Sequence, residues 1–223
     1  MAMRRRHFIA LVAAAAAAPA AAFADDQHVP LAKAFPMLQQ YLGVPPGERS
    51  RFYLAYRAVR DRKPVSDAKA AIVGPNGAVP LAFDHAGFLT NRLPSLAELK
   101  GASQFVIAGQ TFRLAPEARC AIAPSTRIDV GQLTAALAQA NAAIAKIAGP
   151  AAMLIPKMTA IYFPDAAGGR AALADGRESP LPVFTVPSMG QIAYFEPAKV
   201  AAKAVVFAKA PSRVLLGGHP RGA

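Results

Sequence analysis

The chain has 223 residues, 54% of them hydrophobic, which indicates a folded core and excludes an intrinsically disordered protein. Its 25 lysine and arginine residues outnumber 13 aspartate and glutamate residues, so the net charge is +12. The one cysteine, Cys120, excludes an intramolecular disulfide and any metal cluster held by cysteines alone.

The N-terminal segment has a basic start, an alanine-rich apolar stretch and small residues before a cleavage point, which are the three parts of an export signal. Arg5, Arg6, Phe8 and Ile9 have a spacing that resembles the bacterial twin-arginine export motif, although the residues on either side of the motif depart from it. The resemblance implies export of a folded protein and cleavage after Ala24. The alternatives are an ordinary arginine-rich export signal and a retained anchor, for which the segment is short.

Loss of residues 1–24 would remove three arginines and no acid, leaving 22 basic against 13 acidic residues and a net charge of +9. We expect a periplasmic or secreted bacterial protein without a transmembrane anchor. Outside the cytoplasm, a basic protein is expected to meet anionic envelope components or envelope proteins and no nucleic acid. The alternative is a basic surface that only keeps the protein soluble. The candidate anion-binding surface comprises Arg49, Arg51, Arg57, Arg60 and Arg62.

The first half of the mature chain predicts one helix followed by strands. Apolar residues spaced by three and four predict a helix over 31–43, with Pro36 in its first turn. Alternation and turn residues predict a strand over 51–60, a hairpin of 70–73 and 79–83, a short strand over 87–90, and a hairpin of 104–108 and 110–114 joined at Gly109.

The second half begins with a helix and continues in strands. Asp129 is placed to cap a helix that starts at Val130, with Gln132 completing a capping box, and Gly149 with Pro150 ends it. Strands are predicted over 158–163, 170–174, 181–186, 191–195, 203–207 and 214–216. The sequence therefore predicts an α+β fold: a mainly antiparallel, sandwich-like sheet with two helices.

Residues 30–115 and 125–216 show similar short segments at an offset near 103 residues, which suggests an internal duplication. For example, residues 53–56 (Tyr-Leu-Ala-Tyr) resemble residues 159–162 (Thr-Ala-Ile-Tyr). Region 25–223 is then either two like domains joined near 116–124 or one pseudo-symmetric unit. The competing explanation is chance similarity among short strands.

The residues that could carry chemistry are few. His85 is the one histidine within the predicted folded body, and Asp84 precedes it, so these two are the candidates for catalysis. No catalytic set, cofactor motif or metal-ligand cluster is predicted. Cys120 stands beside Ala118, Arg119 and Ala121 and fits a small buried residue better than a nucleophile. Glu117 and Glu196 could act as an acid–base pair only if the fold brought them together.

These observations favour an exported envelope protein that binds a ligand or partner, or has a structural role, without being an enzyme. The alternative is a small hydrolase or lyase that acts on an envelope polymer through His85 and a carboxylate.

Overall fold

The computed structural model of the protein describes residues 26–166, 168–186 and 190–220. The predicted export signal, with Arg5, Arg6, Phe8, Ile9 and the cleavage point after Ala24, lies outside the described residues.

The elements of the first half, in chain order, are β1 (Gln27–Pro30), α1 (Leu31–Ala34), α2 (Leu38–Gly43), β2 (Phe52–Arg60), β3 (Lys63–Pro64), β4 (Ala70–Gly74), β5 (Gly77–Leu81), α3 (Leu96–Lys100), β6 (Gln104–Ile107) and β7 (Arg113–Cys120). Those of the second half are β8 (Arg127–Asp129), α4 (Val130–Ala148), β9 (Ala160–Phe163), β10 (Arg170–Leu173), β11 (Glu178–Pro180), β12 (Val183–Val186), β13 (Gly190–Phe195), β14 (Ala202–Val206) and β15 (Leu215–Gly217). Short 3-10 helices span Pro46–Arg49 and Gly149–Leu154.

The strands form three antiparallel sheets. A four-stranded sheet has the order β1-β6-β4-β5, and a second has the order β8-β14-β10-β11. The central sheet has the order β12-β13-β9-β15-β7-β2-β3 and curls into a half-barrel. The predicted β-rich, mainly antiparallel α+β class is confirmed in this coarse form, although three sheets are present where a sandwich-like arrangement was expected.

One face of the central sheet lies against the helices and forms the core. In β2 the core-facing side chains are Phe52, Leu54, Tyr56 and Ala58, which alternate with residues on the opposite face. Helix α4 places Leu133, Ala136, Leu137, Ala140 and Ala143 in the same core. Because the helices cover this face, the other face of the central sheet is where polar side chains can gather.

The long helix was predicted correctly. Helix α4 begins directly after Asp129, whose Oδ1 accepts a hydrogen bond from the backbone N–H of Gln132 at 3.0 Å. This is a side-chain N-cap, which satisfies a donor that the first turn leaves unpaired. The predicted capping box is wrong, because the Gln132 side chain makes no return bond to the Asp129 backbone. The helix ends at Ala148, before Gly149 with φ of 53°.

The helix predicted over 31–43 is wrong, because the structure has two short helices there. Phe35 ends α1 with φ −111° and ψ 73°, and Met37 has a left-handed φ of 67° before α2. Pro36 explains the break, because a proline disfavours helical geometry in the residue before it. The count of two helices is also wrong, since the described residues contain four α-helices. The additional α3 begins at a capping box made by Ser95 and Glu98.

The hairpin predicted over 104–114 is also wrong. Strand β6 pairs with β1 and β4 in an outer sheet, whereas β7 pairs with β2 and β15 in the central sheet. The chain changes sheets between Ile107 and Arg113, and Phe112 in this connection is buried. Pairing with more distant strands gives both segments two neighbours, which a simple hairpin would not provide. The short strand predicted over 87–90 forms two isolated bridges, Arg57 with Phe88 and Phe83 with Leu89.

Candidate functional site

Ionised side chains gather on the face of the central sheet opposite the helices. In the β2–β7 pairing, Tyr53 lies opposite Arg119 and Ala55 lies opposite Glu117. Arg57 lies opposite Ala115 on the same face, because residues that differ by an even number along a strand point the same way. Along β2, the small Ala55 separates Tyr53 from Arg57 on this face.

Phe88 pairs with Arg57 in an isolated bridge at the edge of β2 and follows a tightly bonded turn. The turn is closed by backbone hydrogen bonds from Gly87 to Asp84 and from Asp84 to Phe88, each 2.8 Å long. Asp84 Oδ1 also accepts from the backbone N–H groups of Ala86 and Phe88. Gly87 has a φ of 79°, and a Cβ there would lie 2.9 Å from the carbonyl oxygen of Val65. Glycine is therefore required where the turn lies against the neighbouring chain.

Three arginine side chains converge on the Phe88 ring. The guanidinium carbons of Arg119, Arg57 and Arg213 lie 4.1, 4.9 and 5.1 Å from the ring centroid. These distances fall within the range of cation–π attraction. The ring itself is only 6% exposed. We call Arg57, Arg119 and Arg213, together with Phe88 and Glu117, the arginine cluster.

Glu117 is the carboxylate bonded within the arginine cluster. Its Oε1 accepts a hydrogen bond from Nε of Arg119 at 2.9 Å and from Nε of Arg213 at 3.0 Å. The side chains of Glu117, Arg119 and Arg213 are 18%, 15% and 14% exposed. Water screens charges in such a site poorly, so removal of one partner costs more than it would at the surface. The exposed Asp165 lies further away, with 4.0 Å between its carboxylate and Arg213.

Two guanidinium groups of the cluster retain donors without an acceptor. Arg57 Nε donates to the carbonyl oxygen of Ala86 at 2.7 Å, but its terminal nitrogens have no acceptor among the described residues. Arg119 Nη2 is enclosed and likewise lacks an acceptor in that part of the chain. The pKa of Arg57 is lowered from its ordinary value by partial burial and by the charges of Arg213 and Arg119, an effect that Glu117 and Asp84 oppose. A guanidinium stays charged in proteins, so the cluster can bind the oxygen atoms of an anion.

The structure does not bring the five predicted anion-binding arginines together. Arg49 precedes β2, where its Nε donates to the Val44 carbonyl oxygen, and exposed Arg51 also lies at that end. Exposed Arg60 and Arg62 lie at the other end of β2, about 25 Å away at the usual rise of a strand. Only Arg57, near the middle of β2, belongs to the arginine cluster.

Arg51 lines a separate groove near the start of α4. This groove has a volume of about 320 Å³ and adjoins another of about 450 Å³, which Arg127 and Lys203 line. Both grooves share Ile122 and Gln132. They are wide open, and their cations lie on the surface, in contrast to the enclosed arginine cluster.

The two candidates for catalysis do not form a reactive pair. His85 is exposed at the turn and makes no hydrogen bond or ion pair with any described residue. The Asp84 carboxylate is bonded to backbone N–H groups, so it positions Phe88. Glu117 and Glu196 bind different partners, because Glu196 accepts from His219 and Lys199.

Cys120 is buried in the core opposite Phe52, as expected for a lone small residue. Burial raises the pKa of its thiol to about 12, which keeps the sulfur protonated and unreactive at neutral pH.

Most members of the arginine cluster were missed from the sequence. Arg119 and Arg213 were not singled out, since each stands alone among apolar residues and belongs to a different strand region. The sequence feature that could have indicated the cluster is the alternation of residues in β2, which places Arg57 on the face opposite Leu54 and Tyr56. An arginine in the middle of a strand, where its neighbours are apolar or aromatic, indicates a second buried face.

The described residues contain no group of three or more histidine, cysteine, aspartate or glutamate side chains placed to hold a metal ion. In the same part of the chain, none of the helices has the length and apolar character needed to cross a membrane.

Comparison of the chain with protein-family models, with curated proteins and with solved structures gave no match.

Proposed function

We propose that this chain is an exported bacterial envelope protein that binds an anionic ligand through the arginine cluster and carries out no chemistry on it. One observation carries the proposal: Arg119 Nη2 is a buried donor without an acceptor among the described residues, and the guanidinium group of Arg57, which contacts the same Phe88 ring, also has donors to spare there. Buried polar groups in folded proteins are nearly always bonded, so donors left over indicate a missing acceptor.

Charge supports an anion as that acceptor. The cluster contains three guanidinium groups, and the two of Arg119 and Arg213 share one oxygen of Glu117. A carboxylate, phosphate or sulfate bound to a guanidinium makes charge-assisted hydrogen bonds, which are stronger than neutral ones. The surplus of basic residues over the whole chain would also attract anions toward the protein.

The export part of the proposal rests on residues 1–24. Their basic start, apolar stretch and small residues before the cleavage point support a periplasmic or secreted location. In that location the anion would be an envelope component or a group on an envelope protein.

No observation favours the alternative of a hydrolase or lyase that uses His85. A general base needs a partner that orients it and a site in which a substrate can lie. His85 is exposed without such a partner among the described residues, and the neighbouring carboxylate of Asp84 is occupied by backbone donors.

We also propose that the two halves are copies of one ancestral unit. The outer sheets have the same strand order when β1, β6, β4 and β5 are matched with β8, β14, β10 and β11. Their registers match as well: the row Gln27, Ile107, Ala70, Leu81 corresponds to Arg127, Val206, Arg170, Pro180. In the central sheet, the Leu215–Arg119 pair would then make Tyr53 the counterpart of Tyr162. The sequence match of 53–56 with 159–162, which aligns Tyr56 with Tyr162, is out of register on this proposal. On this proposal the counterpart of Arg119 in the second half is Leu215, and the second half contributes Arg213 to the arginine cluster.

The test is a calorimetric titration of the purified protein with inorganic phosphate, at constant ionic strength maintained with chloride. We expect saturable binding at one site. Arg57→Gln should weaken it by roughly tenfold or more, because a hydrogen bond to a charged group contributes about 1.5–3 kcal/mol. Arg51→Gln is the matched control, since that exposed arginine lies outside the cluster, and it should bind as the unmodified protein does.

The variant Arg57→Lys separates the contribution of the planar guanidinium group to anion binding from that of its positive charge. Lysine keeps the positive charge but lacks the planar fork, so we expect affinity between those of the unmodified protein and Arg57→Gln. Absence of saturable phosphate binding, or an equal loss in Arg51→Gln and Arg57→Gln, would overturn the proposed site.

A further inference from the structure

A single row of side chains crosses the central sheet and ends in the arginine cluster. Tyr194 lies opposite Tyr162, Tyr162 opposite Leu215, Leu215 opposite Arg119, and Arg119 opposite Tyr53. Residues directly opposite each other in antiparallel strands share a face, so all five lie on the face that carries the cluster. Tyr162 and Arg119 are two strands apart, about 10 Å at the usual strand spacing.

An aromatic patch occupies the end of the row away from the arginines. Tyr162, Phe184 and Tyr194 form a triangle with ring centroids 5.4, 5.9 and 6.1 Å apart. Tyr162 and Phe184 are half-buried, so these two rings remain partly open to solvent, whereas Tyr194 is buried. We call Tyr162, Phe184 and Tyr194 the aromatic patch.

Most polar groups around the aromatic patch are already paired, and among the described residues the Tyr194 hydroxyl is the exception. The Tyr162 hydroxyl donates to the carbonyl oxygen of Gly218, and Gly217 allows this approach because a Cβ there would lie 2.8 Å from the Tyr162 ring. The Glu196 carboxylate accepts from His219 at 2.9 Å and lies 2.7 Å from the Lys199 ammonium group. A ligand over the patch would therefore meet ring faces and apolar side chains, whereas a ligand at the other end would meet guanidinium donors.

We propose that the ligand is an amphiphilic anion, with a carboxylate or phosphate group at the arginine cluster and an apolar body lying over Leu215 and the aromatic patch. This inference rests on the proposed anion-binding function and gives the ligand its chemical class. The continuous row places the two kinds of surface within the span of one small molecule. Phe88, Tyr194 and Leu215 are only 6%, 6% and 8% exposed, so the apolar surface that a ligand could reach is mainly that of the half-buried Tyr162 and Phe184.

The test is a titration of the purified protein with acetate, hexanoate and decanoate as monomers, with inorganic phosphate as the reference anion. We expect affinity to rise with chain length, by up to roughly fourfold for each methylene that becomes fully buried. Decyl phosphate compared with phosphate should show a similar gain. Equal affinities for acetate and decanoate would overturn the inference while leaving the proposed function intact if phosphate still binds.

The variant Phe184→Ala tests whether the aromatic patch provides the gain in affinity with chain length. This variant should reduce the gain from acetate to decanoate and leave phosphate affinity unchanged, because Phe184 belongs to the patch and not to the arginine cluster. Val79→Ala is the control, since Val79 is an exposed apolar residue of β5 in an outer sheet. An equal chain-length gain in Phe184→Ala and the unmodified protein would contradict the inference.

Vesicles containing phosphatidylglycerol distinguish a free amphiphilic anion from a lipid held in a membrane. We expect monomeric decanoate to bind when no vesicles are present. Binding to the vesicles without binding of the monomer would overturn the inference in favour of a membrane surface. Failure of acetate, decanoate and phosphate alike would instead overturn the proposed function.

Discussion

The guanidinium carbon of Arg119 lies 4.1 Å from the centroid of the Phe88 ring, and both side chains are largely buried. The two residues come from different parts of the fold, a central strand and a turn beyond β2. Arg57 and Arg213 approach the same ring, so Phe88 is the common contact of three cations. This makes Phe88 the residue on which the geometry of the cluster depends.

Phe88→Ala should lower the free energy of unfolding by about 3–5 kcal/mol, the usual cost of truncating a buried phenylalanine. Phe88→Leu should cost less, because leucine fills part of the space but provides no ring face for the guanidinium groups. Urea unfolding measures both. Phe184→Ala is a control, since that ring is half-buried and should cost less. A cost below about 1 kcal/mol for Phe88→Ala would show that the ring does not support the cluster.

Glu117→Gln should destabilise the protein and strengthen its binding of phosphate. The substitution removes the negative charge that Arg119 and Arg213 share, so the cations repel each other and an external anion gains affinity. We expect a loss of about 2 kcal/mol in urea unfolding, less than for a fully buried pair because the side chains retain some exposure.

Added phosphate should restore part of the stability that Glu117→Gln loses, since a ligand of the folded state shifts unfolding by mass action. Glu178→Gln is the matched control, because its ion pair with Arg170 is exposed and such pairs contribute about 0–1 kcal/mol. Phosphate affinity that stays equal or falls in Glu117→Gln would contradict a competition between Glu117 and the ligand.

The capping box of α3 predicts a loss of stability in acid. Hydrogen bonds from the Ser95 backbone and from Arg92 hold the pKa of Glu98 below its ordinary value. Because the folded pKa is the lower one, this carboxylate stabilises the protein above its unfolded pKa and the contribution is lost as the pH falls through the folded value. Glu98→Gln should therefore flatten the decline in stability between about pH 5 and 3.

Urea unfolding at several pH values measures this effect, with Asp67→Asn as a control at an exposed acid outside the capping box. Ser95→Ala should cost about 1 kcal/mol at neutral pH, since it removes the side-chain cap. An unchanged acid profile in Glu98→Gln would assign the acid sensitivity to other carboxylates.

Met37→Gly should raise the free energy of unfolding by about 0.5–1 kcal/mol. Met37 has a φ of 67°, in the region where a side chain is strained and glycine is not. Its side chain is 48% exposed, so little packing is lost. Met153→Gly is the control, because Met153 is exposed in a 3-10 helix without a positive φ and should be destabilised. A lower stability of Met37→Gly would show that packing of Met37 outweighs the strain.

Local patterns in the sequence predicted much of the secondary structure. Helix α4 was predicted from its cap at Asp129 and its end at Gly149, and β2 from the alternation of Phe52 through Ala58. These features depend on neighbours within a few residues, which the sequence displays directly. The prediction of a single helix over 31–43 was wrong for an equally local reason, because Pro36 disfavours helical geometry at Phe35.

The pairing of strands that are distant in the chain could not be predicted from local sequence patterns. Strands β6 and β7 look like a hairpin, yet each pairs with strands far away in the chain. Arg119 and Arg213 become neighbours of Phe88 only because β15 pairs with β7 and the turn at Gly87 lies beside β2. The energy of such pairing depends on which apolar faces are buried together, and short similar strands do not encode their partners individually.

By itself, the sequence determined the basic charge, the β-rich α+β class and the presence of a single cysteine. Only the tertiary structure decided that Arg57, rather than the row of arginines around it, would meet Arg119 and Arg213 at one ring. The physical reason is that charge and periodicity are properties of the chain, whereas a site exists only where register brings separate strands face to face.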